Sequence, residues 1–455
     1  MGVIMIDSGK SKEKIEEKII GRIKSVINII KEHPIKTAIL ILFIILSLYL
    51  KISEANVGLN DEFVGSDAWG YNLNAIDFLN GKATISSYFN PLETIYLVGV
   101  YAIFGPDHYI GRIIQIIASL LIAYFLFYPT KKFFGETAAF IACLLALVHP
   151  YIVFYSAHLW TEFWMIFAFS WIIYLTAKSM DKETKSKYVY IGILSGIAAL
   201  SKIPGLIFGA ILILFLVFYH NDKKINISIF KKGIMPLGLF IIGTAVILVP
   251  WCIYTSLDYG HPIFINSNSG LNLYLGNNPE GVLWMNSVYK WDYVYDTNIS
   301  EGNCGDIYRN YSRNTNITNK EDLEFKYRQN KCTTKYAINY ILNNPDKTIN
   351  KMYQFSVQYW LFPNLEAFQR LIKNPKSLLA QLWFFWIFTL IGVIISIQKW
   401  KNFIPFYLIY VTAWFFFGIT VYLARYKAPG VPVDILFAAG GLAIIWTILE
   451  DNIKK

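Results

Sequence analysis

"IMPLGLFIIGTAVILVPWCI", residues 234–253, runs for 20 residues without a charged side chain. An α-helix rises about 1.5 Å per residue, so a run of this length matches the hydrocarbon core of a bilayer, roughly 30 Å thick. This reading decides the fold because the rest of the chain repeats it. With 55% hydrophobic, 17% aromatic and only 16% charged residues, and a mean hydropathy of +0.41, the 455 residues cannot all hide their apolar surface in one water-soluble core. The chain is expected to be an all-α polytopic membrane protein.

Further apolar runs lie near 37–52, 108–128, 137–150, 160–177, 188–201, 203–220, 378–398, 403–422 and 431–449. Counted with the first, they predict about 10 transmembrane helices, and up to 13 if short or re-entrant pieces are included. "PLETIYLVGVYAIFG" (91–105) has the length of such a re-entrant or interfacial segment. The expected organisation is a cytoplasmic amphipathic N-terminal helix (1–36), a transmembrane core (37–253) whose first outer loop is 53–107, an outer-face domain of mixed helix and loop (254–377), and C-terminal transmembrane helices (378–455).

Charge orients the spans. The formal net charge is +10, but lysines cluster in short loops between apolar runs, such as "PTKKFFG", "KSMDKETKSK" and "HNDKKINISIFKKG". That arrangement suits cytoplasmic loops meeting anionic headgroups and does not predict a nucleic-acid partner. Both termini are basic and are expected inside. Between 53 and 107 Lys82 is the one basic residue, against Glu54, Asp61, Glu62, Asp67, Asp77, Glu93 and Asp107. This loop and the 254–377 segment therefore fall on the outer face. Residues 11–31 place Ile15, Ile19, Ile23, Val26 and Ile30 on one helical face opposite lysines, an anchor on the inner leaflet rather than a cleavable signal. The four cysteines show no metal-ligand spacing; Cys304 and Cys332 share the outer segment, where a disulfide is permitted but not required. No long-period repeat supports a repeat-built transporter.

The polar stretch "GSDAWGYNLNAIDFLNG" (65–81) stands out in the first outer loop, and other marked segments follow in order. They are "DHYIGRIIQIIASLL" with Arg112, "HLWTEFWMIFAF" with Thr161 and Glu162, "LSGIAALSKIPGLIFG" with Lys202, "SGLNLYLGNNP" (269–279) and "LARYKAPGVP" (423–432). This order resembles the GT-C superfamily of membrane glycosyltransferases, most nearly the protein O-mannosyltransferase and aminoarabinose-transferase families that use polyprenyl- or dolichyl-phosphate sugars. Asp67, Tyr71, Ala75 and Gly81 satisfy the family's first-loop pattern. In many relatives glutamate follows that aspartate directly, whereas here Ala68 follows Asp67 and the acidic pair is Asp61-Glu62.

The resemblance implies an inverting transfer of a monosaccharide from a lipid phosphate to a hydroxyl on a protein, lipid or glycan acceptor, with the active site on the outer face. Such chemistry needs a carboxylate to take the acceptor proton and fixed positive charge where the phosphate leaves. Asp67 is the preferred base, with Asp61 and Glu62 as rivals. Arg112, Lys202 and Arg425 are expected to hold the donor phosphate. Tyr71, Glu162, Asn272, Tyr274, Asn277 and Asn278 are expected around the sugar or acceptor. No cofactor is required, since basic side chains can neutralise a monophosphate leaving group, although the outer carboxylates could recruit a divalent cation. Structural readings compete: Asp67 as a helix N-cap, Glu162 as an interfacial charge, Lys202 and Arg425 as headgroup contacts, and the asparagines as turn formers. The alternative functions are a lipid or sugar transporter or flippase, and an oligosaccharide ligase or oligosaccharyltransferase using a diphosphate-linked donor.

Overall fold

A computed structural model describes residues 31–57, 67–225, 227–278, 320–356, 378–420 and 424–453, and every regular element among them is helical. The predicted amphipathic anchor at 11–31, Asp61, Glu62 and Cys304 lie outside the described residues, except for Lys31 at the anchor's end.

Long apolar helices form the frame: α1 (Pro34–Val57), α4 (His108–Phe134), α7 (Glu162–Asp181), α10 (Ile227–Tyr259) and α16 (Val431–Ile453). Between the first two lie α2 (Asp67–Leu79) and the apolar α3 (Leu92–Phe104). After α4 come α5 (Glu136–Val148) and α6 (Pro150–Ala157), which meet at a 41° bend. Then α8 (Lys185–Ser201) and α9 (Pro204–His220), each of 17 residues, separate α7 from α10. The 254–377 region contributes α11 (Ser269–Gly276), α12 (Lys320–Asn343) and α13 (Pro345–Ser356). Last come α14 (Leu378–Ser396) and α15 (Trp400–Ile419), joined by a 3₁₀ turn over Ile397–Lys399.

Among the described residues six helical stretches are long and apolar enough to cross a bilayer, or seven if the bent α5–α6 pair is one crossing. About ten runs were read from the sequence. The difference lies in helices such as α9, apolar but short, and in the stretch Phe385–Ile419, which satisfies the length test as one unit. That stretch is folded back on itself. The Ser396 hydroxyl is hydrogen-bonded to the Tyr407 hydroxyl, a contact that eleven positions of straight helix, about 16 Å, would forbid.

The packing matches the bilayer as solvent. Phe169, Tyr188, Phe208, Leu212, Phe406 and Phe437 make a closed core among α7, α8, α9, α15 and α16. Large apolar side chains also face outward, including Leu42, Ile45 and Tyr49 of α1, at 62%, 59% and 68% exposure. In water these would be a liability, and in lipid they are at rest.

Helices α8 and α10 approach backbone to backbone through small residues. A Cβ on Gly192 would sit 2.2 Å from the Phe240 carbonyl oxygen, and one on Gly243 2.2 Å from that of Val189. Gly192→Ala is expected to force these helices apart and to destabilise the protein by about 1–3 kcal/mol. A lowered apparent Tm in detergent would register it, and an unchanged Tm would mean that the pair does not pack this way.

Candidate active site

Four charged side chains from distant parts of the sequence meet at one end of the bundle. Asp67 is the first residue of α2, which forms because Ala68, Tyr71 and Ala75 recur at helical spacing and bury against Leu97, Val100 and Tyr101 of α3. Gly81, at φ +67, ends the element in the left-handed region that glycine adopts without strain. The loop behind it is pinned by Asn74, which donates to the Thr84 carbonyl and accepts from the Ser86 amide.

Glu162 and Lys202 are brought together by their neighbours. The hydroxyl of Thr161 donates to Ser201 Oγ at 3.1 Å, and Ser201 Oγ donates to the Thr161 carbonyl at 2.6 Å, tying the start of α7 to the end of α8. The next residue on each side then forms the ion pair: Lys202 Nζ is 3.0 Å from Glu162 Oε1. Glu162 is only 1% exposed. Burial lowers the Lys202 pKa from its ordinary value, and the carboxylate beside it opposes that shift. The turn before Glu162 contains buried Leu159 at φ 53, a conformation that a leucine holds only under constraint from its surroundings.

Arg425 completes the group from a 3₁₀ turn, Ala424–Gly430, that leads into α16. Its Nη1 donates to Asp67 Oδ2 at 2.5 Å, and its Nε lies 3.6 Å from Glu162 Oε1. Its guanidinium carbon stands 4.9 Å from the Trp160 ring centre, and Lys202 Nζ stands 4.8 Å from that of Tyr426. Two carboxylates and two cations thus alternate between two aromatic faces. Tyr71, one turn after Asp67, is 3% exposed, and its phenol is pushed well above the ordinary value by burial and then by the Asp67 charge. It stays protonated and able to donate. Asp67 therefore spends its carboxylate on Arg425, 358 positions away, more than a local helix cap would require.

Other sequence-predicted residues go elsewhere. Arg112 is fully buried and donates from Nη1 to the Ala55 carbonyl at 2.7 Å, holding α4 to the last turn of α1. Asn272 and Tyr274 lie half-buried on α11, with Tyr274 edge-on to Tyr336. Asn277 donates to the carbonyls of Leu273 and Ile419, and Asn278 to that of Tyr274, so both amides close helix ends. Cys332 is disulfide-bonded, while Cys143 and Cys252 are free thiols.

Lys351 is a clamp that no motif announced. Its Nζ lies 2.8 Å from the Gly276 carbonyl oxygen, 3.0 Å from Asn277 Oδ1, 3.0 Å from the Ile419 carbonyl oxygen and 3.4 Å from that of Thr420. One ammonium thereby caps the C-terminal ends of α11 and α15. Lys351→Met is expected to release α13 at a cost of about 1.5–3 kcal/mol, the range for hydrogen bonds to a charged group. Amide hydrogen exchange over 269–278 and 345–356 should accelerate, and unchanged protection there would refute the clamp.

Trp160, Tyr426 and Glu93 also escaped motif reading. Glu93 is fully buried at the start of α3, with its Oε1 accepting from Gln115 Nε2 at 2.8 Å. A usable signal existed: a lone acid in the apolar run "PLETIYLVGVYAIF" is costly unless it has a partner or a task.

The family model described as dolichyl-phosphate-mannose-protein mannosyltransferase matches residues 91–253, a stretch that holds Arg112, Glu162 and Lys202 and stops short of Asp67 and Arg425. No curated protein and no solved structure matches the chain. The matched stretch is little more than a third of the chain and, set beside the all-helical, multi-pass bundle and the order of its motifs, it supports the resemblance to membrane glycosyltransferases of the GT-C type.

Proposed function

We propose that the protein moves a monosaccharide from a polyprenyl- or dolichyl-phosphate donor to a hydroxyl acceptor at the outer face of the membrane, with inversion at the anomeric carbon. The observation that carries this reading is the contact of Asp67 with Arg425 beside the Glu162–Lys202 pair. It gathers a proton acceptor and two phosphate-binding cations into one partly open cluster. Asp67 and Arg425 keep 32% and 25% of their side-chain surface accessible, which leaves room for substrates.

In this mechanism the acceptor oxygen attacks C1 of the sugar as Asp67 takes its proton. The C1–O bond to the phosphate breaks, and its electron pair leaves on the phosphate oxygen. Arg425 and Lys202 stabilise that developing charge, the guanidinium through a fork that matches two phosphate oxygens. Tyr71 donates from below to the sugar or acceptor, and Glu162 keeps both cations in place. The basic side chains supply the positive charge that a metal would otherwise bring.

The test reconstitutes purified protein in lipid with radiolabelled monosaccharides on polyprenyl monophosphate and, in parallel, on polyprenyl diphosphate, over a panel of hydroxyl acceptors. Consumption of the monophosphate donor with inverted product is the expected result. Consumption of the diphosphate donor alone would replace this reading with that of an oligosaccharide ligase, and turnover of neither would remove the proposed donor class.

A further inference from the structure

The charges of the cluster cancel. Among the described residues of the cluster, Asp67 and Glu162 balance Arg425 and Lys202, so these side chains offer an incoming phosphate no spare cation, and the carboxylate proposed as base is already held by a guanidinium. The Asp67 oxygen that would meet the acceptor proton already accepts a hydrogen bond from Arg425 Nη1, so its lone pair is occupied. The site is therefore silent until something parts Asp67 from Arg425.

The two ion pairs differ in how readily they part. Glu162 and Lys202 side chains are 1% and 9% exposed, and separating them would strand a charge in a dry interior. Asp67 and Arg425 are 32% and 25% exposed, so either can be re-solvated or re-paired as they separate. Arg425 also keeps unused capacity. Its Nε is buried without a hydrogen bond, and Glu162 Oε2 is buried without one as well. The guanidinium lies on the Trp160 face, a surface over which it can turn without losing contact.

We propose that the phosphate of the lipid donor takes Arg425 from Asp67, with Glu162 acting as the positioning residue on which the guanidinium turns, so that the base is released only once the donor is bound. This inference rests on the proposed function and adds to it an order of events. The donor binds first, Asp67 is freed beside the anomeric carbon, and the acceptor hydroxyl then meets a competent base. Transfer leaves the lipid as a phosphate monoester carrying more negative charge, which holds Arg425 until the lipid departs. Departure of the lipid returns the guanidinium to Asp67 and closes the cycle.

The experiment follows the protonation of Asp67 without needing the sugar or the acceptor. Purified protein in nanodiscs is treated with a carbodiimide, which labels protonated carboxyls, over a series of pH values with and without added polyprenyl phosphate. Mass spectrometry reads the label at Asp67, and binding of the lipid phosphate is measured separately by thermal shift. The titratable and charged groups surrounding Asp67 and Tyr71 are Glu93 of α3, Glu162 of α7, Lys202 and Arg425, and the label at Glu93 and Glu162 is read alongside. Polyprenyl phosphate is expected to raise labelling of Asp67 at mildly acidic pH about tenfold. In Arg425→Gln labelling should be high with or without the lipid. In Glu162→Gln it should stay low even with the lipid, because among the described residues Asp67 is then the only carboxylate left to Arg425, and Glu162→Asp should restore part of the response. Shifts of opposite sign in two variants cannot come from a general loosening of the fold. If the lipid phosphate binds and Asp67 labelling does not move, the exchange is refuted. If it does not bind at all, the proposed donor class fails instead.

Discussion

Replacing Asp67 by asparagine lowers the rate of sugar transfer by about 10²- to 10⁴-fold, the usual contribution of a positioned general base. Asparagine keeps the size of the side chain and a carbonyl oxygen for Arg425 but cannot take a proton at neutral pH. The fold should survive the change, since the side chain is 32% exposed and Arg425 still has Glu162 within 3.6 Å. An unchanged apparent Tm, with polyprenyl phosphate bound at least as tightly as by the native protein, would separate lost chemistry from lost structure. Asp61→Asn and Glu62→Gln are the proper comparisons, because both belong to the same acidic loop. If Asp67→Asn keeps nearly full activity while one of these abolishes it, the base lies in "NDEF" and Asp67 is a phosphate-site partner of Arg425.

Lys202→Met is expected to damage stability more than any surface change. It leaves Glu162, 1% exposed, with no closer cation than the Arg425 Nε at 3.6 Å. Breaking one side of a buried ion pair costs about 3–5 kcal/mol, because the remaining charge is cut off from water and keeps only the more distant guanidinium. The double variant Lys202→Met/Glu162→Gln should recover much of that loss, since no charge is then stranded. Thermal unfolding of the two singles and the double in detergent forms a mutant cycle. Additive losses would show that the two side chains do not depend on each other, and the pair would then carry no weight in the site.

The glycine contacts of α8 with α10 and the Lys351 clamp show a different kind of dependence. Gly192 and Gly243 are ordinary small residues in the chain, and their need to be small comes from the helix each meets. Lys351 sits in a polar amphipathic stretch where lysine is unremarkable, yet its ammonium is surrounded by four oxygens from two other helix ends. Arg112 makes the opposite case. It stands at the start of a span, where an arginine suits a phosphate, and its Nη1 donates to the Ala55 carbonyl, a contact that the local sequence does not announce.

Hydropathy along the chain was enough to make this an all-helical membrane protein, and the family resemblance, together with charges at helix ends, nominated Asp67, Glu162, Lys202 and Arg425 one by one. Each of those signals is local: a run of apolar residues, an acid at the mouth of a helix, a cation at the end of another. Which charge faces which is not local, because it depends on how the crossings assemble. Asp67 and Arg425 lie 358 positions apart, and only the packing of α2 and the 3₁₀ turn before α16 around Trp160 brings them into contact. The same packing sends Asn277 and Asn278 to cap helix carbonyls, a use that their turn-forming composition does not single out. Sequence determined the solvent in which this protein folds, since burial of apolar surface is additive along a chain. Tertiary structure alone decided the partners of its charges, since an ion pair exists only where two distant segments are held within a few ångströms.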